Sequence, residues 1–311
     1  MSAQEYDIII IGGGPAGMTA GLYASRSELK TLLVEKMIMG GQMMTATLVE
    51  NWPGYPGGID GPELMMRFQT HCVEFGLETR TGEVEKIEDL GKQKRLIIDG
   101  KEYLCKAVII ATGANPRKLG IEGEEALVGR GVSYCATCDG AFFRNVPIAV
   151  IGAGDTAAEE AVFLTRFASK VYMVHRRDKM RTTKILQNRV FESEKIEMVW
   201  DSVVSGLDSD NTGLTGITVK NVKSGEQRQL NAVGMFVAVG VTPISGFLKD
   251  LVELDKSGYI KASENTRTSV PGIFVAGDCR TSVLKQVSTA VGDGAVAATQ
   301  AEKYLEELKH S

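Results

Sequence analysis

The sequence predicts an α/β protein built from two related domains, one of them inserted into the other. A pattern of strand, glycine-rich loop, helix and strand occurs twice, and each copy is followed by a buried strand ending in A-x-G-x-x-P. Two motifs that recur in the same order indicate a duplicated unit, because chance similarity between glycine loops would not reproduce the order. The length of 311 residues also exceeds the size at which a single core stops growing.

The first copy begins near the amino terminus. Residues 8–11 are all isoleucine without polar alternation, which is typical of a strand buried on both faces. Gly12, Gly14 and Gly17 then fit G-x-G-x-x-G, which permits a tight turn and a close approach by a pyrophosphate at a helix start. Glu35 ends the second strand, where a carboxylate accepts hydrogen bonds from ribose hydroxyls. We therefore predict a Rossmann-like dinucleotide-binding domain.

The second copy spans residues 146–177 and has the same order of elements. Its loop reads Gly152-x-Gly154-x-x-Ala157 between an apolar strand and a helix. The second strand of this copy runs into a basic segment at 175–177 instead of ending in an acid. We predict a second dinucleotide-binding domain with a different preference.

The charges at the two strand ends predict which nucleotide each copy binds. Arg176, Arg177 and Arg181 form a basic cluster that suits a 2′-phosphate, since each charge-assisted hydrogen bond contributes about 1.5 to 3 kcal/mol. We therefore expect the second copy to prefer NADPH. Glu35 would repel a 2′-phosphate, and FAD fits the first copy because a flavin accepts hydride and passes electrons on in pairs.

The final third of the chain predicts how the domains are connected. A buried strand in residues 268–280 ends in Gly-Asp and precedes a long helical stretch, and neither has a counterpart in the second copy. We assign them to the first domain, so the second is inserted, with crossings near 116–120 and 243–247 where proline and glycine suit a linker. The predicted bounds are 1–117 and 245–311 for the FAD domain and 118–244 for the NADPH domain.

Five cysteines in a long chain are too few and too odd a set for a disulfide framework. Cys135 and Cys138 form C-x-x-C, but the other cysteines and the histidines are scattered singly, which argues against a four-ligand zinc site. A catalytic dithiol remains, in which one thiol attacks and the other resolves. Asp139 follows directly, as a proton shuttle or equally as a helix N-cap.

The overall composition indicates the setting in which the protein works. A net charge of −4 argues against a nucleic-acid partner, which needs a basic surface. No apolar run approaches the roughly 18 to 20 residues that span a bilayer. The first residues are acidic where a signal peptide needs positive charge, so we expect a reducing cytoplasm.

The whole chain resembles the bacterial-type low-molecular-weight thioredoxin reductases. Six motifs along the chain carry this resemblance, of which the segment with the two cysteines is the most specific. The motifs are GGGPAG at 12–17, GGQMMTATLVENWPG at 40–54, CATCD at 135–139, GAGDTAAEEA at 152–161, HRRDKMR at 175–181 and GDCRTSVLKQV at 277–287.

The resemblance implies an FAD enzyme that takes hydride from NADPH, reduces the Cys135–Cys138 disulfide and passes electrons to thioredoxin. In that family Cys138 would face the flavin, Cys135 would attack the partner disulfide, and Asp139 would handle protons. A homodimer is also implied. Leu284 and Lys285 stand where the family usually has an aromatic residue and an arginine, and lysine keeps the charge without the planar fork.

The predicted contacts form three groups. For FAD they are Gly12, Gly14, Pro15, Ala16, Gly17, Glu35, Gly41, Gln42, Asn51, Val84, Gly113, Gly277, Asp278, Lys285, Gln286 and Val287. For NADPH they are Gly152, Gly154, Asp155, Thr156, His175, Arg176, Arg177 and Arg181. For thioredoxin they are Arg130, Phe142 and Phe143, and we expect at least one of the two phenylalanines to belong to the core.

Two alternatives stay open at this level. The partner could be another disulfide protein, glutaredoxin-like or peroxiredoxin-linked, or the chain could bind FAD as a redox sensor without turnover. In the leading interpretation the C-x-x-C and the nicotinamide site share the inserted domain, so both must reach one flavin in turn. We therefore expect a rigid-body rotation of that domain about its two linkers.

Overall fold

The computed structural model describes residues 4–46 and 48–310, so Thr47 of the 40–54 motif and the first three residues of the predicted FAD domain lie outside the described residues. The strands are β1 Gln4–Ile11, β2 Thr31–Glu35, β3 Glu78–Thr81, β4 Val84–Asp89, β5 Lys94–Ile98, β6 Lys101–Ile110, β7 Ala114–Pro116, β8 Val132–Ser133, β9 Pro147–Ile151, β10 Lys170–Val174, β11 Ile196–Val199, β12 Ser202–Asp210, β13 Gly213–Asn221, β14 Gln227–Leu230, β15 Gly234–Val237, β16 Val241–Pro243 and β17 Ile273–Val275. The α-helices are α1 Pro15–Arg26, α2 Gly61–Glu74, α3 Ala136–Asp139, α4 Asp155–Leu164, α5 Lys184–Glu192 and α6 Val287–Lys309. Short 3-10 helices cover Gly41–Thr45, Glu125–Leu127, Gly140–Phe143, Gly246–Leu248 and Gly277–Cys279.

The chain divides into two compact units. Unit 1 contains residues 1–115 and 242–311, and unit 2 contains residues 116–241. The chain leaves unit 1 and returns to it along two connecting segments, β7 and β16, which pair with each other as a two-stranded sheet. Unit 2 is therefore an insertion in the sequence of unit 1.

Unit 1 is built on a seven-stranded sheet of order β3-β2-β1-β6-β5-β4, with β17 beside the second half of β6. The isoleucines of β1 are buried on both faces: Ile8 and Ile10 pack with α1 and α6, and Ile9 and Ile11 pack into the opposite cluster. This burial on both faces explains why the strand lacks polar alternation. Helices α1 and α6 meet at Gly294, where an added Cβ would lie 2.3 Å from the carbonyl oxygen of Ala16.

Unit 2 is built on a five-stranded parallel sheet of order β11-β10-β9-β15-β8. Ile148 and Val150 of β9 face the cluster that contains α4, and Ala149 and Ile151 face the other side. The antiparallel sheet β12-β13-β14 supplies much of that other side. The predicted α/β class with two Rossmann-like domains is confirmed.

One expectation about the second copy is wrong. The Gly-Asp strand, now β17, lies beside β6 in unit 1 as predicted, but unit 2 does have a counterpart. Strand β8 pairs in parallel with β15 at the same edge of the sheet. Strand β8 has only two residues and precedes the other strands of its sheet in the chain, so no apolar run and no matching order could indicate it.

In the described part of the chain, no helix combines the length and the apolar character needed to cross a bilayer.

Candidate active site

The two cysteines of the C-x-x-C motif form a disulfide in unit 2. Cys135 and Cys138 have a Cα–Cα distance of 5.3 Å and flank the first turn of α3. Both side chains are half-buried, and the sulfur of Cys135 lies 3.4 Å from the hydroxyl of Thr137. The amides of Cys138 and Asp139 donate to the carbonyl of Cys135 at 3.2 and 3.1 Å. The short turn therefore brings both sulfurs into bonding distance and leaves them partly accessible.

Asp139 is tied to the strand that precedes the cysteines. Its carboxylate accepts a hydrogen bond of 2.6 Å from the hydroxyl of Ser133, which also accepts from the amide of Cys135 at 3.1 Å. Burial raises the pKa of the Asp139 carboxyl above its usual range, and the hydrogen bond from Ser133 partly opposes the shift. Asp139 stands at the N-cap position of the 3-10 helix Gly140–Phe143, but its side chain makes no capping hydrogen bond there, so the alternative capping role finds no support. It is a protonatable group one residue from Cys138.

The dithiol turn is held by its contact with α4. Ala136 is buried and belongs to the same apolar cluster as Ala157 and Leu164 of α4. At the other end of the turn an added Cβ on Gly140 would lie 2.9 Å from a methyl group of Leu164. A larger residue at Gly140 would have to displace the Leu164 side chain.

Glu160 is an acidic residue at this site that sequence reasoning missed. It lies on α4, the helix that packs against α3 and the dithiol turn, and its side chain is only partly exposed. Burial, with a smaller effect of the Glu159 charge, raises the pKa of the Glu160 carboxyl to about 7. The signal in the sequence was weak, because GAGDTAAEEA carries two adjacent acids and periodicity alone did not say which one is buried.

The glycine loop of unit 1 has the geometry of a dinucleotide site. Gly12 has a φ of +109° and an added Cβ would lie 2.3 Å from the carbonyl oxygen of Ala111, so only glycine fits the turn. An added Cβ on Gly14, the N-cap of α1, meets nothing within 4 Å, which leaves space above the helix start. A pyrophosphate fits there because the first amides of a helix are unpaired.

Glu35 lies beside the same loop. The amide of Gly13 donates to one carboxylate oxygen at 2.7 Å and the amide of Met37 to the other at 3.0 Å. Each carboxylate oxygen keeps a further lone pair for a ribose hydroxyl. The predicted acid therefore stands at the end of β2 and next to the loop, as a nucleotide site requires.

Several other predicted flavin residues contact one another or a neighbouring residue of unit 1. The side-chain amide of Asn51 donates to that of Gln286 at 2.9 Å, and Gln42 donates to the carbonyl of Ala114. Gly41 approaches Gly14, since an added Cβ would lie 3.3 Å from the Gly14 Cα. The remaining predicted positions are Pro15 and Ala16 in the first turn of α1, Gly17 packed against Gly12, Val84 at the start of β4, Gly113 with a φ of +72°, Gly277 with a φ of +76° and Val287 at the start of α6.

Lys285, which stands in place of the family arginine, is held by the chain itself. Its ammonium donates to the carbonyls of Asp278 and Arg280 at 3.1 and 3.2 Å and lies 4.2 Å from the ring centre of Tyr259. Burial lowers the pKa of Lys285 and raises that of the Asp278 carboxyl. Lysine therefore anchors the Gly-Asp turn through backbone carbonyls.

A second link to this turn was also missed by sequence reasoning. The carboxylate of Asp293 on α6 accepts the amide of Gly277 at 3.1 Å and the guanidinium of Arg280 at 2.8 Å. Arg280 and Asp293 are 13 positions apart, so no local pattern indicated that they pair. It fixes the start of the turn that carries Asp278.

The glycine loop of unit 2 repeats the geometry of unit 1. Gly152 has a φ of +137° and an added Cβ would lie 2.4 Å from the carbonyl oxygen of Ala238. Gly154 is the N-cap of α4, with nothing within 4 Å of an added Cβ, and Asp155 and Thr156 form the first turn of the helix. This loop too can approach a pyrophosphate closely.

The basic cluster lies next to this loop. The amide of Arg181 donates to the carbonyl of Ala153 at 2.7 Å, which brings the arginine to the loop, and Arg176 and Arg177 are exposed at the end of β10. Among the described residues none of the three guanidinium groups pairs with a carboxylate. His175 is buried against Trp200, and its Nε2 has no hydrogen-bond partner in the part of the chain described. Burial and the neighbouring Arg177 and Arg176 lower its pKa.

The residues predicted to dock a partner protein have different surroundings. Phe142 is 48% exposed, so it is available at the surface of unit 2. Phe143 packs edge-on against buried Phe236, with ring centres 5.2 Å apart, and thus serves the core. Arg130 is exposed and its guanidinium donates to the carbonyl of Asn211 at 3.0 Å. Of the two aromatic candidates, Phe142 is the more exposed.

The other three cysteines are free and buried. Burial raises the pKa of the Cys72 thiol to about 11 and that of Cys105 to about 12, and it also raises the pKa of Cys279. These thiols are therefore poor nucleophiles near neutral pH. Among the described residues no cluster of three or more histidine, cysteine or acidic side chains could hold a metal ion.

Comparison with known proteins gives one consistent result. The sequence matches the family described as pyridine nucleotide-disulphide oxidoreductase over residues 6–294. It is 46% identical over 313 aligned positions to a thioredoxin reductase of Listeria monocytogenes and to one of Bacillus subtilis, with 100% of this chain and 98% of each relative covered. The crystal structure of thioredoxin reductase from Streptococcus pyogenes is similar at a TM-score of 0.94 and 47% identity, covering 98% of this chain and 100% of that one.

Proposed function

Because the chain belongs to the pyridine nucleotide-disulphide oxidoreductases, and within them to the bacterial-type low-molecular-weight thioredoxin reductases, we propose that it transfers electrons from NADPH to the disulfide of thioredoxin. The observation that carries the proposal is the Cys135–Cys138 disulfide on the unit that also bears the arginine cluster. FAD in unit 1 would supply electron transfer in pairs between the nicotinamide and this disulfide.

The two cysteines have separate tasks in this proposal. Reduction of the Cys135–Cys138 disulfide takes up two electrons and two protons and gives two thiols. The thiolate of Cys135 then attacks one sulfur of the partner disulfide and forms a mixed disulfide. The thiolate of Cys138 attacks Cys135, re-forms the internal disulfide and releases the reduced partner.

Asp139 handles the protons of this cycle. Its carboxyl is next to Cys138 in sequence, and its raised pKa keeps it protonated at a higher pH than an ordinary aspartate. It can therefore give a proton to a sulfur that leaves as thiolate and take one back from an attacking thiol. Ser133 holds the carboxylate in place for both steps.

The nucleotide sites follow from the two loops. Arg176, Arg177 and Arg181 would bind the 2′-phosphate of NADPH, and the loop at Gly152 and Gly154 would approach its pyrophosphate. In unit 1 the glycine loop, Glu35 and the Gly277–Cys279 turn would hold FAD. The exposed Phe142 would contact thioredoxin. Homodimer formation, a cytoplasmic location and the rotation of the inserted domain stay predictions.

The proposal is tested with the FAD-loaded protein, NADPH and thioredoxins from the same organism. We expect rapid NADPH oxidation that depends on thioredoxin disulfide and produces free thioredoxin thiols in equal amount. Rapid oxidation with another disulfide protein and none with thioredoxin would assign a different partner. Flavin and disulfide reduction that stops after one turnover with every disulfide protein would identify a sensor.

A further inference from the structure

Glu124 is a buried acidic residue in the segment that leads from β7 to β8, and it is only 1% exposed. Its Oε1 accepts hydrogen bonds from the amide of Leu119 at 2.9 Å and from the hydroxyl of Tyr134 at 2.8 Å, and its Oε2 accepts the amide of Gly120 at 2.8 Å. A carboxylate can be buried at acceptable cost when donors of this kind surround it. Glu124 and these three partners form one cluster, the Glu124 brace, which joins two parts of the chain that are distant in sequence.

The first of these parts, residues 117–120, is the entry segment by which the chain comes into unit 2. The amide of Arg117 donates to the carbonyl of Gly240 at 2.9 Å, just before the return crossing β16. Leu119 packs on the apolar cluster of unit 2 that contains Val132 of β8. Gly120 has a φ of +74°, a conformation that favours glycine. The entry segment is therefore fixed to unit 2 by backbone hydrogen bonds, by an apolar contact and by Glu124.

The second part is the short stretch between β8 and the dithiol turn. Tyr134 lies directly before Cys135, its ring packs on the same apolar cluster as Leu119, and its hydroxyl donates to Glu124. Ser133 lies directly before Tyr134, and its hydroxyl accepts the amide of Cys135 at 3.1 Å and donates to the Asp139 carboxylate at 2.6 Å. The chain that leads into Cys135 is therefore held at two neighbouring points, one of which depends on the Glu124 brace.

An anchored Cys135 favours the closed disulfide over the open dithiol. In the disulfide the Cα atoms of Cys135 and Cys138 are 5.3 Å apart, joined through the two sulfurs. Reduction removes this covalent constraint, and the turn then gains conformational freedom unless other contacts still hold it. A contact that holds the Cys135 end of the turn reduces this gain, so it shifts the equilibrium toward the disulfide.

We propose that Tyr134 is a positioning residue for the dithiol, which ties Cys135 to the entry segment through Glu124 and favours the disulfide form. The inference rests on the proposed function only in that it takes Cys135 and Cys138 as the working couple. Coupling of this kind is reciprocal: if the Glu124 brace favours the disulfide, the disulfide strengthens the Glu124 brace by the same factor. The redox state of the dithiol is thereby transmitted to the point where the chain enters unit 2.

The test is the thiol–disulfide equilibrium of the variant Tyr134→Phe, which keeps the ring and removes the hydroxyl that donates to Glu124. The FAD-loaded protein is equilibrated without oxygen in mixtures of dithiothreitol and oxidised dithiothreitol, and its thiols are then trapped by alkylation and counted by mass spectrometry. Dithiothreitol gives two electrons and two protons to the Cys135–Cys138 disulfide and becomes a cyclic disulfide itself. We expect the exchange constant to shift toward the protein dithiol about 3- to 10-fold, as the loss of one hydrogen bond predicts.

The matched control is Tyr172→Phe, which removes a hydroxyl from a tyrosine on β10 that packs on the same apolar cluster as Tyr134. It should change the exchange constant by less than about twofold. A residue that only stabilises the fold stabilises the disulfide and dithiol forms equally, so it lowers the melting temperature without moving this constant. An unchanged constant in Tyr134→Phe, or an equal shift in both variants, would overturn the proposal.

The unsubstituted protein supplies a second measurement if Tyr134→Phe does not fold. The amides of Leu119 and Gly120 donate to Glu124, so their hydrogen exchange should become about 3- to 10-fold faster when dithiothreitol reduces the disulfide. Amides of the β12–β13 hairpin serve as the internal control and should exchange at the same rate in both forms. Equal exchange of the entry segment in the two forms would contradict the coupling.

Neither measurement uses NADPH or a partner protein. Their outcome therefore does not depend on whether the protein reduces thioredoxin, and failure of this inference is distinguishable from failure of the proposed function.

Discussion

Units 1 and 2 share one scaffold and differ in the chemistry attached to it. In both, the first glycine of the loop packs against the carbonyl of the residue just after the neighbouring strand. Gly12 packs against Ala111, which follows β6, and Gly152 packs against Ala238, which follows β15. An added Cβ would lie 2.3 and 2.4 Å from these oxygens, so the backbone requirement is nearly the same. The duplication therefore preserved the backbone that binds a dinucleotide.

The differences lie at the carboxyl ends of corresponding strands. Glu35 is the last residue of β2, whereas Arg176 and Arg177 lie just after β10. At the sheet edge the Gly277–Cys279 turn follows β17, whereas the segment 135–139 with the dithiol follows β8. Ligand sites of open α/β sheets lie at these strand ends, so new chemistry can be added there without changing the core. The dithiol and the Gly-Asp turn are thus two uses of one position.

The largest effect should come from the dithiol. Cys135→Ser and Cys138→Ser should each reduce thioredoxin turnover at least about a thousandfold, because a two-step exchange needs both sulfurs. FAD should stay bound, since unit 1 keeps its own residues. The measurement is NADPH-dependent thioredoxin reduction together with the flavin absorbance of the purified variants.

The matched control is Cys279→Ser, at the corresponding position of unit 1. Cys279 is buried and its thiol lies near the carbonyl of Ala276, a role that serine can take over. We expect turnover to change by less than about twofold. A loss as large as in Cys135→Ser would mean that the edge of unit 1 takes part in thiol exchange, contrary to the comparison.

The next effect concerns Asp139. Burial raises its pKa in the folded protein, so the carboxyl donates a proton until the pH passes that raised value, and the disulfide step should slow as pH rises through it. Asp139→Asn should slow this step about a hundredfold and remove that pH dependence. Stopped-flow measurement across pH provides the test.

Asp278, the acid in the Gly277–Cys279 turn of unit 1, sharpens this test. Asp278→Asn should weaken FAD retention and leave the pH dependence of disulfide exchange in place. A pH profile that is unchanged in Asp139→Asn would show that this carboxyl has a structural role only.

The charges at the carboxyl ends of β2 and β10 should decide which nucleotide each unit prefers. Replacing Arg176 and Arg177 with glutamine should raise KM for NADPH about 10- to 100-fold and hardly change KM for NADH, since NADH lacks the 2′-phosphate. Glu35→Gln should instead weaken FAD retention at an unchanged NADPH to NADH ratio. Steady-state kinetics with NADPH and with NADH measure the two KM values. An equal rise in both KM values in the arginine variant would refute the assignment of Arg176 and Arg177 to the 2′-phosphate.

The smallest effect separates docking from packing within unit 2. Phe142→Ala should raise KM for thioredoxin about 3- to 10-fold and leave reduction of a small disulfide dye unchanged. Phe143→Ala should lower the melting temperature instead, because its ring packs on Phe236. If Phe142→Ala impairs both substrates alike, that residue is not a docking contact.

The sequence predicted local features well and distant contacts poorly. The glycine loops, the residues at the ends of β2 and β10 and the parallel sheets follow from spacing and apolar runs, which are local properties. The place of β8 depends on pairing with β15, about 100 residues later. Glu160 and the Arg280–Asp293 pair owe their surroundings to packing between elements, which no local pattern encodes.

The central claim is that unit 1 holds the flavin and unit 2 holds both the NADPH site and the disulfide that the flavin reduces. Anaerobic titration of the FAD-loaded protein with NADPH, followed by flavin absorbance and thiol counting, tests it most directly. We predict about two NADPH per chain at completion, one for the flavin and one for the disulfide, with two new thiols at Cys135 and Cys138. The double variant with serine at both positions should consume about one NADPH per chain, because only the flavin can then be reduced. Flavin bleaching at one NADPH without new thiols in the unsubstituted protein would contradict the account.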